Sequence, residues 1–285
     1  MDVRLVAIDI DGTLIDSRGR IPEANIIAVT AALDAGVQVV LVTGRSFPFA
    51  RRVVEALPPT VTLIASNGAI ERTLDGHTVA RRLLSRETAR QVLEHTREFR
   101  DTTALMFDRE AEGHVVAEGM DWEHPNRGSY WEGRRHWIGQ VSPLEDALTE
   151  DPIQVMFNGG VETMREIHES LAGLGPMAVC RTEYERRDFA LVDVTATTAN
   201  KGYALAARAA ALGIASAQVM AIGDNLNDVE MLEFAGVPVI MGNAVDALGG
   251  RGWHQTATHD EAGVAQAIWR FALNGTRQTD HPLER

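Results

Sequence analysis

Two aspartates one residue apart, Asp9 and Asp11, are the residues whose types and spacing point most directly to chemistry. They close an apolar run, residues 5–10 (LVAIDI), that is typical of a buried parallel strand, and Gly12 follows with a sharp turn. Residues i and i+2 of a strand point to the same side, so both carboxylates start on one face. In a partly dry cleft their repulsion requires a cation or a shared proton. The pair therefore predicts a metal site with an acid, base or nucleophile, and the structural alternative is a turn cap at a strand end.

Strands and helices alternate in the first 65 residues and again after residue 200, as in a doubly wound α/β fold. Apolar strands are predicted at 5–10, 37–42, 61–65, 218–222 and 237–241, and helices at 23–35, 46–57, 201–212, 229–234 and 262–273. Parallel strands separated by helices need right-handed crossovers, and ligands bind at the carboxyl ends of such strands. We therefore expect a mostly parallel, Rossmann-like sheet.

The middle of the chain follows a different pattern. From about residue 69 to residue 193, short alternating runs with glycine turns accompany helical stretches at 87–99 and 161–171. This pattern is typical of a smaller α+β unit with antiparallel strands. The sequence thus predicts a discontinuous core, residues 1–80 and 194–285, with an inserted α+β cap domain, residues 81–193, after the third core strand. The polar last dozen residues are expected to be frayed.

Polar clusters follow four of the predicted core strands, where the carboxyl ends of parallel strands share one edge of the sheet. The clusters are Asp9 with Asp11, Thr43-Gly44-Arg45, Asn67-Gly68, and the run 223–228 (GDNLND) with Asp224, Asn227 and Asp228. One such cluster is compatible with turn chemistry alone. Four clusters at one edge indicate a shared site.

The acids of these clusters favour a magnesium site. Asp224 adds a third carboxylate to the first pair, and a set of carboxylates forms the hard oxygen site that suits Mg²⁺. Asp228 lies four residues later at a helix start, where we expect it to cap the turn or to lie behind the metal. Zinc is not expected, because the nine histidines show no pair at ligand spacing and Cys180 is the only cysteine.

Positive charge for a phosphate group is offered by Lys201 and Arg45. Lys201 begins the helix at which the core resumes. With the Thr43 hydroxyl and the backbone N–H groups of the Thr43-Gly44 turn, it is predicted to hold phosphate oxygens. The alternatives are an ordinary solvated lysine at Lys201, a surface role for Arg45 at its helix start, and a plain turn at Asn67-Gly68, which we favour for that pair.

The bulk composition restricts the partners. The 285 residues carry a formal net charge of −13, which argues against nucleic acid or an anionic membrane as a partner. A divalent cation reverses the sign locally, so a phosphorylated substrate stays compatible with this charge. One cysteine permits no internal disulfide, and neither a signal-peptide pattern nor an apolar run of ~20 residues is present. We expect a cytoplasmic monomer or homodimer.

Five short motifs together resemble those of the haloacid dehalogenase-like (HAD) hydrolases. They are DIDGT at 9–13, TGR at 43–45, SNGA at 66–69, NKG at 200–202 and GDNLND at 223–228. The long insertion between SNGA and NKG is similar to the Cof-type branch with a type IIB cap. The resemblance covers both halves of the core, from residue 3 to about residue 244. The cap carries no motif that identifies a substrate.

The resemblance implies a Mg²⁺-dependent phosphatase of small phosphorylated metabolites, such as sugar phosphates. Asp9 would attack phosphorus and become an aspartyl-phosphate, and Asp11 would protonate the leaving alcohol and then deprotonate the attacking water. Mg²⁺ would be held by Asp9, the backbone carbonyl of Asp11 and Asp224. The other matched residues would bind phosphate (Thr43, Gly44, Lys201 and Asn227) or support the site (Arg45, Asn67 and Asp228).

Two other functions stay open. A phosphomutase with the same covalent intermediate would need a bisphosphate and retention of the product. A non-catalytic phosphometabolite-binding regulator is disfavoured, because the set of acids with Thr43 and Lys201 is intact.

The insertion also holds an aromatic and basic segment, residues 118–139. Its members are Trp122, Tyr130, Trp131 and Trp137 with Arg127, Arg134 and Arg135. Such a segment forms either the core of the inserted domain, which we favour because buried aromatics usually pack, or a rim that grips a substrate.

Overall fold

The computed structural model describes residues 2–120, 122, 127, 135–184 and 187–273, and the chain divides into two compact units. The core unit takes its residues from Met1–Arg81 and Asn200–Arg285, and the inserted unit from Arg82–Ala199. The chain thus returns to the core unit at residue 200 rather than at the predicted residue 194. The predicted frayed end, 274–285, lies outside the described residues, as do Tyr130, Trp131 and Arg134.

The core unit is built on one eight-stranded sheet. Numbered along the whole chain, its strands are β1 (Leu5–Asp9), β2 (Gln38–Val42), β3 (Thr62–Ala65), β4 (Ile70–Thr73), β5 (Thr78–Arg81), β12 (Val219–Gly223), β13 (Val237–Ile240) and β14 (His254–Gln255). They lie in the order β14-β13-β12-β1-β2-β3-β4-β5, so β1 is central and pairs in parallel with β2 and β12. All five residues of β1 are buried, as its apolar composition requires.

The described part of the core unit holds five helices, four that precede a strand of the sheet and one that follows the last strand. They are α1 (Glu23–Asp34), α2 (Phe47–Val53), α5 (Lys201–Ala211), α6 (Val229–Phe234) and α7 (Gly263–Ala267). The parallel strands and their connecting helices confirm the predicted doubly wound α/β core. Among the described residues, no helix combines the length and the apolar character needed to cross a bilayer.

The core sheet extends further than predicted. β4 and β5 form an antiparallel hairpin beyond β3, so the insertion follows the fifth strand and not the third. The hairpin turn contains Gly76, whose φ of +98° is readily adopted only by glycine. The strand β14 was also missed, and the predicted helix 262–273 is the short α7 followed by a wider turn, Ile268–Ala272. The hairpin was missed because its mixed polar composition resembles the alternating runs of the insertion.

In its described residues, the inserted unit combines a six-stranded sheet with two helices. Its strands are β6 (Thr103–Met106), β7 (Val115–Ala117), β8 (Ile138–Gln140), β9 (Gln154–Gly159), β10 (Met177–Tyr184) and β11 (Phe189–Ala196), and its helices are α3 (Arg86–His95) and α4 (Val161–Ser170). The strand order is β10-β11-β9-β6-β7-β8, and every pair except β7 with β8 is antiparallel. The α+β character of the insertion is therefore confirmed. Because β11 pairs with β9 and β10, residues 194–196 belong to this unit.

The sheet of the inserted unit buries apolar side chains on both faces. On one face Phe157 and Val192 join a cluster that includes Leu93 of α3. On the other face Met156 and Leu191 form a second cluster, against which Trp122 packs. Trp137 is also buried. These two tryptophans belong to the core of the inserted unit, as the favoured alternative predicted.

Asp193 is an acid in an otherwise apolar part of this sheet. It accepts a hydrogen bond from Gln154 Nε2 at 2.6 Å, and its neighbours across the strands are Cys180 and Met156. Burial raises the pKa of Asp193 to about 7. The folded chain therefore binds this proton more tightly than the unfolded chain, and the free energy of unfolding falls as pH rises from about 4 to about 7.

We expect Asp193→Asn to remove most of this pH dependence. The amide resembles the protonated acid, so the variant should match the parent Tm below about pH 4 and exceed it near about pH 8. The difference should not exceed about 4 kcal/mol, which corresponds to the difference between a pKa of about 7 and the ordinary value of about 4. Thermal unfolding of the parent, Asp193→Asn and the control Asp101→Asn, whose carboxyl is exposed, measures it. Parallel curves of Tm against pH for parent and variant would contradict the expectation.

Candidate active site

The chain leaves β1 through a tight turn, Ile10–Leu14, in which Asp9 and Asp11 differ in environment. Asp9 is 4% exposed, whereas the side chain of Asp11 is 53% exposed. Gly12 adopts a φ of +79°, and a Cβ at this position would lie 2.3 Å from Asp224 Oδ2. Glycine is therefore required here twice, by the backbone conformation and by the close approach of a carboxylate.

Three buried carboxylates from both ends of the sequence meet where β1 and β12 end. An oxygen of each of Asp9, Asp224 and Asp228 lies within 4.8 Å of the others. Asp224 follows β12 directly, and its Oδ1 accepts a hydrogen bond from Thr13 Oγ1 at 3.0 Å. The parallel pairing of β1 with β12 brings these acids together although about 215 positions separate them in the sequence.

Asp228 has both oxygens occupied. Its Oδ2 accepts hydrogen bonds from the backbone N–H groups of Asp224 and Asn225, each at 3.0 Å. Its Oδ1 accepts a hydrogen bond from Lys201 Nζ at 2.6 Å. The structure thus places Asp228 as the cap of the turn after β12, behind Asp224. Asn227 lies half-buried in the same turn, Leu226–Asp228.

Lys201, the first residue of α5, is buried between two of these acids. Its Nζ lies 2.6 Å from Asp9 Oδ1 and 2.6 Å from Asp228 Oδ1, and the side chain is 1% exposed. Burial lowers the pKa of Lys201, but the charges of Asp228 and Asp9 outweigh it and raise the pKa above its ordinary value. Asn200 fixes the helix start, because its side chain accepts a hydrogen bond from Tyr203 N–H at 2.7 Å. Lys201 is a fixed buried cation, so the alternative of a solvated lysine is wrong.

The donor set suits a hard divalent cation. Burial raises the pKa of Asp9 well above its ordinary value, with Lys201 opposing and Asp228 adding to the shift. Burial also raises the pKa of Asp224 to about 6, and the charge of Asp228 contributes. One ammonium group does not balance three carboxylates, so negative charge is in excess. Oxygen ligands with excess negative charge fit Mg²⁺.

The turn after β2 carries Thr43, Gly44 and Arg45. Thr43 is buried, and its Oγ1 accepts a hydrogen bond from the backbone N–H of Arg45 at 3.1 Å. The Arg45 guanidinium donates to both oxygens of Asp11, from Nε at 2.7 Å and from Nη2 at 2.5 Å. Of the predicted supporting residues, Arg45 therefore lies against one of the two DIDGT acids.

The turn Ser66–Gly68 after β3 is strained and packed against the turn after β2. Ser66 and Asn67 adopt φ values of +50° and +52°, which residues other than glycine rarely adopt. Their N–H groups donate to the carbonyl oxygens of Arg45 and Thr43, at 2.8 and 2.9 Å. A Cβ on Gly44 would lie 3.1 Å from Asn67 Oδ1, an oxygen that has no hydrogen-bond partner among the described residues. Backbone strain held by such contacts favours a functional turn over the plain one.

Two residues of the site region, Thr13 and Asn243, were not singled out from the sequence. Thr13 orients Asp224, and its signal was its place in the DIDGT motif. Asn243 Nδ2 donates to the carbonyl oxygen of Gly12 at 2.8 Å, and its Oδ1 accepts from His259 N–H at 2.9 Å. Asn243 follows β13, so the rule that ligands bind at the carboxyl ends of parallel strands could have identified it from the sequence. The sequence also contains one further indication that was not used: Lys201 is its only lysine.

Comparison with known proteins assigns the family. The model of the haloacid dehalogenase-like hydrolases matches residues 6–268. The 5-amino-6-(5-phospho-D-ribitylamino)uracil phosphatase YcsE of Bacillus subtilis is 31% identical over 275 residues, which are 96% of this chain and 97% of the relative. The pyridoxal phosphate phosphatase YbhA of Escherichia coli is 29% identical and covers 96% of this chain and 100% of its own length.

Solved structures share the fold. BT1666 of Bacteroides thetaiotaomicron, a phosphatase of the HAD superfamily, gives a TM-score of 0.79 at 24% identity, with 95% of this chain and 96% of that chain covered. The HAD subclass IIB sugar phosphatase BT4131 gives a TM-score of 0.74 at 21% identity, with 95% and 100% covered. The chain belongs to the haloacid dehalogenase-like hydrolases and, like its phosphatase-named relatives, is a phosphoric monoester hydrolase. The resemblance read from the five motifs is confirmed.

Proposed function

We propose that this enzyme is a Mg²⁺-dependent phosphatase that hydrolyses small phosphorylated metabolites through an aspartyl-phosphate on Asp9. The observation that carries this proposal is the burial of Asp9 between Lys201 and the acids after β12. Lys201 holds Asp9 Oδ1, whereas Asp9 Oδ2 accepts no hydrogen bond from the described residues. A carboxylate that is fixed in this way keeps lone pairs available for attack and loses little freedom in reacting.

The reaction would proceed in two displacements. An oxygen of Asp9 attacks phosphorus, the bond to the leaving oxygen breaks, and that oxygen takes a proton from Asp11. A water molecule then attacks the phosphorus of the aspartyl-phosphate and gives a proton to Asp11, which releases phosphate and regenerates Asp9. Lys201 and the backbone N–H groups at Thr43-Gly44 would bind the phosphate oxygens.

The metal would be held by Asp9, the backbone carbonyl of Asp11 and Asp224. When bound, Mg²⁺ supplies positive charge that neutralises the repulsion between these carboxylates and the phosphate. Asp228 keeps its oxygens for Lys201 and for the backbone of the turn, so it supports the site from behind. Thr13 would keep Asp224 in one orientation.

Removal of the metal is expected to slow turnover strongly. Protein dialysed against EDTA should hydrolyse p-nitrophenyl phosphate at least ~10²-fold more slowly, because charge stabilisation of several kcal/mol is lost, and added Mg²⁺ should restore the rate. Asp224→Asn should raise the Mg²⁺ concentration for half-maximal activity, whereas the exposed control Asp34→Asn should not. Full activity after exhaustive dialysis would contradict the metal dependence.

The substrate class is inferred from the relatives. Their names specify a phosphorylated ribitylaminouracil, pyridoxal phosphate and sugar phosphates, which are phosphate monoesters of small polar molecules. We place the reaction of this enzyme on the same class of compound and in the cytoplasm. A panel of sugar, cofactor and nucleotide phosphates, with release of inorganic phosphate as the readout, tests this assignment. Isomerised hexose phosphate in place of free phosphate would identify the phosphomutase alternative.

A further inference from the structure

The contact between Arg45 and Asp11 is a two-bond pair. The guanidinium Nε lies 2.7 Å from Asp11 Oδ2, and Nη2 lies 2.5 Å from Asp11 Oδ1. Both oxygens of one carboxylate are therefore met by one planar fork, which is a stronger and more directional contact than a single ion pair. The side chains are 31% and 53% exposed, so the pair lies at the surface of the site.

The backbone of Arg45 is held on both sides. Its N–H donates to Thr43 Oγ1 at 3.1 Å, and its carbonyl oxygen accepts from the N–H of Ser66 at 2.8 Å. Ser66 belongs to the strained turn after β3. The arginine thus extends from a backbone that is held by its own turn and by the turn after β3.

Asp11 needs such a partner. Its side chain is more than half exposed, and an exposed carboxylate on a turn otherwise samples several rotamers. A group that transfers a proton to a leaving oxygen must lie within hydrogen-bond reach of it in one orientation. Arg45 bonds to both oxygens of Asp11. One oxygen can therefore exchange a proton while the bond to the other oxygen keeps the carboxylate in its orientation.

We propose that Arg45 is a positioning residue for Asp11, which acts on the reaction by orienting the Asp11 carboxylate and not by binding the substrate. This inference rests on the proposed function, in which Asp11 is the acid and base. The competing role is direct contact between Arg45 and the phosphate or leaving group. The two roles differ in whether the effect of Arg45 depends on the presence of Asp11.

A double-mutant cycle separates the two roles. With Mg²⁺ and an alkyl phosphate such as glycerol 3-phosphate, Arg45→Met should lower kcat ~10- to 100-fold and change KM less than ~3-fold. In the Asp11→Asn background the same change should cost less than ~2-fold, because the group that Arg45 orients is already lost. Equal losses in both backgrounds, or a loss confined to KM, would overturn the proposal.

A leaving-group series gives a second test. p-Nitrophenolate leaves without a proton, whereas an alkoxide needs one. Arg45→Met should therefore lose at least ~10-fold more kcat/KM, which reports the first displacement, with glycerol 3-phosphate than with p-nitrophenyl phosphate. Equal losses of kcat/KM with both substrates would show a binding role and would overturn the proposal.

Two control variants accompany these tests, one at another arginine and one that keeps the charge at position 45. Arg51→Met removes an exposed arginine of α2 and should leave both substrates unaffected. Arg45→Lys keeps the charge but not the fork and should lose most of what Arg45→Met loses, whereas full activity of Arg45→Lys would overturn the orienting role of the fork. Thermal unfolding checks that each variant folds, and Arg45→Gln replaces Arg45→Met if the latter does not.

The failure of the proposed function has a different signature. A parent enzyme that releases no phosphate, or an Asp9→Asn variant with full activity, would overturn the function itself. A parent that is active and an Asp11→Asn variant that is slow, together with equal losses for Arg45→Met in both backgrounds, would overturn only the role of Arg45.

Discussion

Asp9→Asn is expected to lower phosphatase turnover at least ~10³-fold while the protein stays folded. The amide has no carboxylate oxygen that can attack phosphorus, so the covalent route is closed. The side chain keeps its size and an oxygen that can accept the hydrogen bond from Lys201. Because burial raises the pKa of Asp9, the ionised acid costs folding free energy that the amide does not, so the Tm should be equal or higher.

Measurement of kcat with p-nitrophenyl phosphate, together with thermal unfolding, checks this expectation. The matched control is Asp34→Asn, an exposed acid at the end of α1, which should leave both quantities unchanged. Turnover within tenfold of the parent would contradict the role of Asp9 as nucleophile. A large fall in Tm would instead show that the acid is needed for folding.

Lys201→Met is expected to damage both stability and catalysis. The change leaves Asp9 and Asp228 buried without their shared cation, and removing one partner of a buried ion pair costs about 3–5 kcal/mol. Turnover should also fall at least ~10²-fold, because the contact that holds Asp9 Oδ1 and the charge near the phosphate are lost. Denaturant unfolding and kcat at saturating substrate measure the two effects.

The burial of Lys201 can be tested separately, because it is the only lysine of the sequence. As the only lysine, it should resist an amine-specific reagent in the folded protein, so that only the amino terminus reacts, and it should react after unfolding. Arg51→Met, which changes an exposed basic residue of α2, should leave both the free energy of unfolding and kcat unchanged. Stability within about 1 kcal/mol of the parent for Lys201→Met would contradict the buried-cation assignment.

The sequence predicted those parts of the site that follow directly after the parallel core strands. Apolar runs identified β1, β2, β3, β12 and β13, and the rule that ligands bind at the carboxyl ends of parallel strands placed Asp9 and Asp224 at one edge. The hairpin β4–β5 was missed because its short strands are of mixed polarity and lie next to an insertion with the same pattern. The return to the core unit at residue 200 was missed because an apolar run does not show where its strand pairing stops.

Side-chain partnerships could not be predicted in this way. The contact between Arg45 and Asp11 and the burial of Lys201 between two acids depend on directions that the packing of neighbouring elements sets. Asn243 is a further case, because its bonds to Gly12 and His259 join segments that are distant in the sequence. Sequence spacing carries no signal for such contacts.

Chemical trapping of the intermediate tests the central claim most directly. Rapid quenching of the enzyme during turnover, followed by borohydride, reduces an aspartyl-phosphate to homoserine, which peptide mass spectrometry locates. Conversion of Asp9 to homoserine is expected only when substrate and Mg²⁺ are both present, and not in Asp9→Asn. An unmodified Asp9 under conditions of full turnover, or conversion of another acid in its place, would contradict the account.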